Sequence, residues 1–291
     1  MDITTYLISV YCLVDDWLRG KRIRQRGPQP RLTDSEVLTI EVVGEFLGID
    51  TDKGLYTHFR RHFGDWFPAL RQVDRTTFAR QAANLWVIKE QLFVHLSQQV
   101  PHDPLISVVD SFPIPVCRFA RANRCRVFAG LAAFGYDEVA KQTFYGLRAH
   151  VRICWPGVIV AATVAPANIH DTEAADELLQ GVRGWALADR NYWKPDWQST
   201  LLERGLSLLV PFKSAKHQKF HFPHWLVEKR YRIETVFGQL VERFHVKKVW
   251  ARDAWHFTSR WWRKLLSHLF AVLFCERIGL SPLQFSKLLS D

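Results

Sequence analysis

Three carboxylates stand where a carboxylate is costly unless the site uses it: Asp110, Asp189 and Glu234. Asp110 closes the apolar run Leu105-Ile-Ser-Val-Val-Asp110, and Asp189 closes Trp185-Ala-Leu-Ala-Asp189. Glu234 lies in the helically patterned stretch Lys229–Phe244. An unpaired charge at the end of a buried strand is strongly disfavoured, and a divalent cation is the usual compensation. Two such cations about 4 Å apart activate a nucleophile and steady a leaving oxygen, which is the demand of phosphodiester chemistry. Mg²⁺ takes oxygen ligands and keeps several waters, so a few carboxylates on rigid elements suffice. Without cations the three would repel one another, so metal binding is expected to stabilise the site.

Each residue also has a plainer reading. Asp110 precedes Ser111-Phe-Pro-Ile-Pro and could open a turn, as could Asp189-Arg190-Asn191 with a local ion pair. Glu234 could pair with Arg230 on a helix surface, a contact that contributes little. Glu234 is the better marked of the three. Ile233, Val236, Phe237, Leu240, Val241 and Phe244 form an apolar stripe, with Arg230, Glu234 and Gly238 spaced four apart on its flank. Gly238 costs helix propensity, and its missing side chain leaves room for a DNA backbone beside Glu234. His170-Asp171 reads as a helix start, with a supporting role near the site as the alternative.

The elements that must position these groups fall into two textures. Residues 1–100 read as helical. Helices are expected over Ile3–Leu18, Val37–Leu47 behind a Thr33-Asp-Ser-Glu36 capping box, Leu55–Phe63 and Thr76–Leu96. From Pro101 strands take over, at Leu105–Asp110, in a hairpin of Thr143–Trp155 and Val158–Val164 about Pro156-Gly157, at Trp185–Asp189 and at Leu206–Phe212. Helices are expected at Asp171–Leu179, capped by Asp171 or Thr172, at Trp197–Arg204, over the Glu234 segment and at Trp261–Ile278. This order predicts an α/β fold, a central mixed sheet with helices on its faces. The expected division is a helical domain over 1–100, for DNA binding or dimerisation, and a catalytic domain over 101–291 that includes the C-terminal helices.

Charge names the substrate class. The net charge is +10, and Lys213–Lys264 holds thirteen Lys or Arg against four Asp or Glu. Further basic blocks run through Arg19–Arg31 and Arg118–Arg126, the latter directly after the first carboxylate. Charge so concentrated is a footprint for nucleic acid. Arg230, Lys213, Arg190, Lys247 and Lys248 are the expected phosphate contacts, and rings among Trp250, Trp255, Phe257, Trp261, Trp262 and Trp193 are candidates for stacking on bases or for packing. The five cysteines show no Cys-x-x-Cys spacing, so reduced thiols in a cytosolic protein are expected. No stretch reaches the length of a membrane span, and a soluble chain is expected. Phosphate-cradling Gly-rich loops, the Gly-x-Ser-x-Gly elbow and the dinucleotide fingerprint are missing, against NTPase, serine hydrolase and dehydrogenase readings.

Four motifs, Val-Val-Asp110-Ser, Pro166-Ala-Asn-Ile-His-Asp171, Ala-Asp189-Arg-Asn-Tyr and Arg-Ile-Glu234-Thr-Val-Phe-Gly, closely resemble the DDE transposases of bacterial insertion sequences. The resemblance is tightest over about residues 105–275 and implies a ribonuclease H-like catalytic core. It places Asp110 on the first strand, Asp189 on the fourth and Glu234 on the helix after the fifth, binding two Mg²⁺, with Mn²⁺ as a possible substitute. The implied partners are double-stranded DNA, as terminal inverted repeats and target, and a second copy of the chain in a dimer or larger synaptic complex. Relatives often carry Tyr, Arg, Glu and Lys around the last carboxylate. Here Arg230 fits, but Val227 and Val241 stand at the Tyr and Lys positions. Some relatives also insert a β-rich module before the catalytic helix, for which Ser214–Glu228 is too short. The expected activity is end cleavage followed by strand transfer. A structure-selective nuclease of the same fold and a non-catalytic DNA-binding regulator are the alternatives.

Overall fold

Backbone pairing in the strand-rich half explains how the aspartates come to be placed. The computed structural model describes residues 1–24, 26–211 and 224–289. The chain divides into two compact units, one of residues 1–100 with 239–291 and one of residues 101–238.

In the first unit, helices α1 (Ile3–Leu18), α2 (Asp34–Phe46), α3 (Asp52–His62), α4 (Arg75–Asn84) and α5 (Trp86–Ser97) come from the N-terminal segment. The Thr33–Glu36 capping box forms as expected and starts α2. The single helix anticipated over Thr76–Leu96 is two, broken at Leu85. The C-terminal helix, Ala254–Arg277 (α9 in chain order), is buried without interruption from Trp261 to Cys275. A helix buried all round needs partners on every side. It finds them in α2 and α5, so the C-terminal helices belong with residues 1–100 rather than with the strands.

The reason is ionic as well as apolar. Lys89 Nζ donates to Glu41 Oε1 (2.7 Å), Lys264 Nζ to Glu45 Oε2 (2.9 Å), and Arg263 to Glu45 (2.6 Å) and Asp52 (2.8 Å). Arg260 adds a second contact to Asp52. Burial penalises each of these charges, and the paired partners offset it. Asp52 shows the balance: burial alone would raise its carboxyl, but Arg263 and Arg260 hold it at about 2.

The second unit is built on one mixed sheet. Strand β1 (Asp103–Pro115) pairs antiparallel with β3 (Gln142–Trp155), which pairs antiparallel with both β2 (Ala133–Asp137) and β4 (Val158–Pro166). On its other side β1 pairs parallel with β5 (Gly184–Leu187), and β5 with β6 (Leu206–Leu209). Setting aside short β2, the order β4-β3-β1-β5-β6 is the ribonuclease H-like mixed sheet implied by the resemblance. Helices α6 (Asp171–Leu178) and α7 (Pro195–Glu203) follow β4 and β5, and α8 (His224–Gly238) follows β6.

Gly184 sets the register between β1 and β5. Its φ is +91°, and a Cβ there would stand 2.4 Å from the Leu105 carbonyl oxygen. That approach starts the ladder Ile106↔Trp185, Ser107↔Ala186, Val108↔Leu187. Alternation then sorts the faces. Val109, Ala186, Ala188, Leu206, Leu208 and Val210 share one apolar cluster with Ala175, Leu178 and Leu201 of α6 and α7. Phe112 and Trp185 point to the opposite face, where their rings meet Phe237 (4.8 Å) and Trp225 (6.3 Å) of α8.

Candidate active site

Asp110 does not end its strand, nor does it open a turn. β1 runs on to Pro115, and Asp110 pairs with Val151 of β3. It lies two residues beyond the last β1–β5 pair, Val108↔Leu187, and Asp189 lies two residues beyond Leu187. The parallel register, continued by extended backbone at Asp189, therefore turns both side chains to the α8 face at a similar level of the sheet. Asp189 does open a turn: its Oδ1 accepts the Asn191 N–H at 2.9 Å and caps the short helical turn Arg190–Tyr192. The local ion pair with Arg190 does not form among the described residues.

Electrostatics follow from this placement. Burial pushes the Asp110 carboxyl up to about 7; the Ser111 N–H opposes this, and Asp189 adds to it. Asp189 is raised as well, by burial first, against the Asn191 N–H, with Asp171 adding to it. Arg230 of α8 pulls both down. The buried phenol of Tyr192 is pushed far up by burial and then by the charges of Asp171, Asp110 and Asp189.

Helix α8, which carries Glu234, packs on the same face of the sheet. Lys229 and Arg232 lie over the Trp155 ring (3.8 and 5.2 Å), Phe237 packs on Phe112, and Ile233 and Val236 are buried. At 100° per residue, Arg230 and Phe237 lie within about 60° of Glu234 around the helix. Glu234 thus flanks the residues that meet β1 and the aspartates, and its side chain is exposed. A Cβ at Gly238 would meet nothing within 4 Å, so the helix surface beyond Glu234 is open.

The donor set suits a hard divalent cation. Oδ1 of Asp110 accepts from the Ser111 N–H (2.7 Å) and Oδ1 of Asp189 from Asn191. Among the described residues no donor meets the second oxygen of either. Two adjacent carboxylates, both resisting ionisation and each with an oxygen to spare, fit Mg²⁺ held by one or two carboxylates plus substrate phosphates. No group of three His, Cys, Asp or Glu side chains among the described residues converges closely enough to hold a metal by itself.

A family model described as "Transposase DDE domain" matches residues 102–253, just over half of the chain. The chain belongs to the DDE transposases. No curated protein matches it. A solved structure, the piggyBac transposase synaptic complex with hairpin DNA, is similar at 10% identity with a TM-score of 0.41, covering 100% of this chain and 86% of that one. That likeness is too distant to inform the site.

Asp171 is the residue of this transposase that sequence reading underrated. The N-cap of α6 is His170, whose Nδ1 accepts the Thr172 N–H (3.2 Å), not Asp171 or Thr172. Asp171 instead accepts the Ser111 hydroxyl (3.1 Å) and stands 3.9 Å from Arg148 Nε and 3.8 Å from His150 Nδ1. Its only signal in the chain was a carboxylate beside a histidine at a helix start. A cleft of ≈ 280 Å³ adjoins it, lined in part by Asn168, Arg148 and Asn191.

The expected DNA contacts divide. Arg230 and the exposed Arg190 lie in the same unit as the aspartates, whereas Lys247 and Lys248 lie in the other. Lys213 and much of the Ser214–Glu228 connector fall outside the described residues. Trp261, Trp262 and Phe257 are core, Trp193 is partly packed against the sheet, and Trp250 and Trp255 are exposed. Arg260, Arg263 and Lys264 are spent on the buried ion network. No helix among the described residues is long and apolar enough to cross a membrane.

Proposed function

We propose that this transposase cuts DNA at the ends of its element with Mg²⁺ and joins the freed 3′-OH to target DNA. The observation that carries the reading is the placement of Asp110 on β1 and of Asp189 two residues past the end of the parallel neighbour β5, both carboxyls raised by burial. Asp110, Asp189 and Glu234 would hold the metal. Bound there, a divalent cation supplies an activated oxygen nucleophile and neutralises charge on the phosphate. The Ser111 and Asn191 N–H groups orient the two aspartates, and Arg230 offers a cation to the phosphate beside them. Arg190, Lys213, Lys247 and Lys248 are the proposed backbone contacts, on terminal inverted repeats and on target duplex. Joining two ends in one event calls for a dimer or larger assembly on DNA. Residues 1–100, helical with a basic block at Arg19–Arg31, would serve DNA binding or dimerisation.

The test is a strand-transfer assay with end DNA and a supercoiled target, comparing wild type with Asp189→Asn in Mg²⁺ and in EDTA. Wild type should yield joined products in Mg²⁺ only, and the variant none. Nicks without joining would favour a structure-selective nuclease, and DNA binding without any cleavage a regulator. Full activity in a folded Asp189→Asn protein would sink the assignment.

A further inference from the structure

We propose that Asp171 is a positioning residue, which fixes the Asp110 carboxylate through Ser111 and thereby sets the metal affinity of the Asp110–Asp189 pair. The proposal rests on the metal-binding reading of that pair. Ser111 is held on two sides. Its N–H donates to Asp110 Oδ1 at 2.7 Å, and its hydroxyl donates to Asp171 Oδ1 at 3.1 Å. Arg148 closes the network: Nη1 donates to the Ser111 hydroxyl (3.3 Å), Nη2 to the Tyr136 carbonyl (2.7 Å), and Nε faces Asp171 at 3.9 Å.

Each link has a physical reason to be stiff. Arg148 and Asp171 are mostly buried, at 16% and 12% side-chain exposure, so their mutual attraction is weakly screened. The Ser111 hydroxyl accepts from a cation and donates to an anion, and hydrogen bonds to charged partners are the stronger kind. His150, across the β1–β3 ladder from Ser111, is buried with its Nδ1 3.8 Å from Asp171 Oδ1. Burial holds His150 at about 4, so at neutral pH it is uncharged, and among the described residues Arg148 is the cation paired with Asp171. Capping does not explain Asp171, because His170 performs that task.

Groups that orient a metal ligand typically change affinity or activity 10–100-fold when removed. The measurement is Mn²⁺ binding to the full chain, by calorimetry and by loss of the free-ion electron paramagnetic resonance signal, alongside strand transfer. Asp171→Ala and Ser111→Ala should each weaken Mn²⁺ binding about tenfold. The double variant should be no weaker than the worse single, because both break the same chain of contacts. Asp171→Asn keeps an acceptor for the Ser111 hydroxyl and should recover most of the affinity. Should Asp171→Ala fold poorly, Ser111→Ala leaves the Asp171–Arg148 pair in place and carries the test.

Wild-type affinity in Ser111→Ala would overturn the proposal while Asp110→Asn still abolishes binding, and so would multiplicative losses in the double variant. Unchanged Mn²⁺ binding in Asp110→Asn would overturn the metal-site reading itself, and this proposal with it.

Discussion

Asp110 on β1 and Asp189 beyond β5 stand level because the parallel ladder stops at Val108↔Leu187, two residues before each of them. Each strand thus releases a carboxylate at the same height on the same face. Burial raises the cost of ionising both, Asp189 adds to it at Asp110 and Asp171 at Asp189, and a bound cation would relieve both.

Metal affinity should depend on pH through Asp110. Its folded carboxyl titrates at about 7, above the ordinary value, so the stability tied to its protonated form is lost as pH rises through 7. A cation must displace that proton below pH 7, and above it need not. Apparent Mg²⁺ or Mn²⁺ affinity should therefore climb between about pH 5 and 7 and level off beyond. Calorimetry in buffers of different ionisation enthalpy would report proton release on the acid side. A flat profile would refute the placement.

Gly184→Ala should damage the site from a distance. The new Cβ meets the Leu105 carbonyl at 2.4 Å and the backbone is held at a φ of +91°. Strain of this kind costs on the order of 1–3 kcal/mol. Slippage of β5 against β1 would also unseat Asp189 from Asp110. Urea denaturation and Mn²⁺ affinity should fall together, whereas Gly238→Ala, with open space at its Cβ, should leave stability unchanged or slightly higher.

The unit containing the sheet should lose stability in mild acid because of His150. This imidazole is buried and neutral, its pKa pushed by burial from 6.5 to about 4. The unfolded chain takes up the proton first as pH falls through 6.5. Stability should then decline down to about pH 4, by on the order of 3 kcal/mol in total. A His150→Gln protein should show a flatter urea midpoint over that range; an identical slope would exclude the histidine as the cause.

In the helical unit the ion network should answer to single deletions. Lys89→Met leaves Glu41 buried without its nearest cation and should cost about 3–5 kcal/mol. Asp16→Ala removes an exposed pair with Arg19 and should cost less than about 1 kcal/mol. Thermal melts of the two variants give the contrast. Equal shifts would mean that the buried network carries no special weight.

Much of the strand and helix order could be read along the chain, since alternation and 3.6-residue periodicity are local properties. The span of α1, the capping box of α2 and the β3–β4 hairpin were each written in a few neighbouring residues. Asp110, Asp189 and Glu234 stood out as candidates for the same reason, as charges set against apolar patterns. Burial was harder to see. Arg260, Arg263 and Lys264 counted toward the basic segment Lys213–Lys264, because a basic run on a helix reads alike whether water or Glu41, Glu45 and Asp52 surround it.

The sequence by itself determined most of the element types and, through its motifs, the transposase family. Only the tertiary structure decided that α9 packs with α2 and α5, that Asp110 and Asp189 share a level, and that Asp171 grips Ser111 from the start of α6. Those outcomes depend on pairing between segments tens to hundreds of residues apart. Register, close backbone approach at Gly184 and the matching of buried charges settle such pairing, and none of them is encoded in any single stretch of chain.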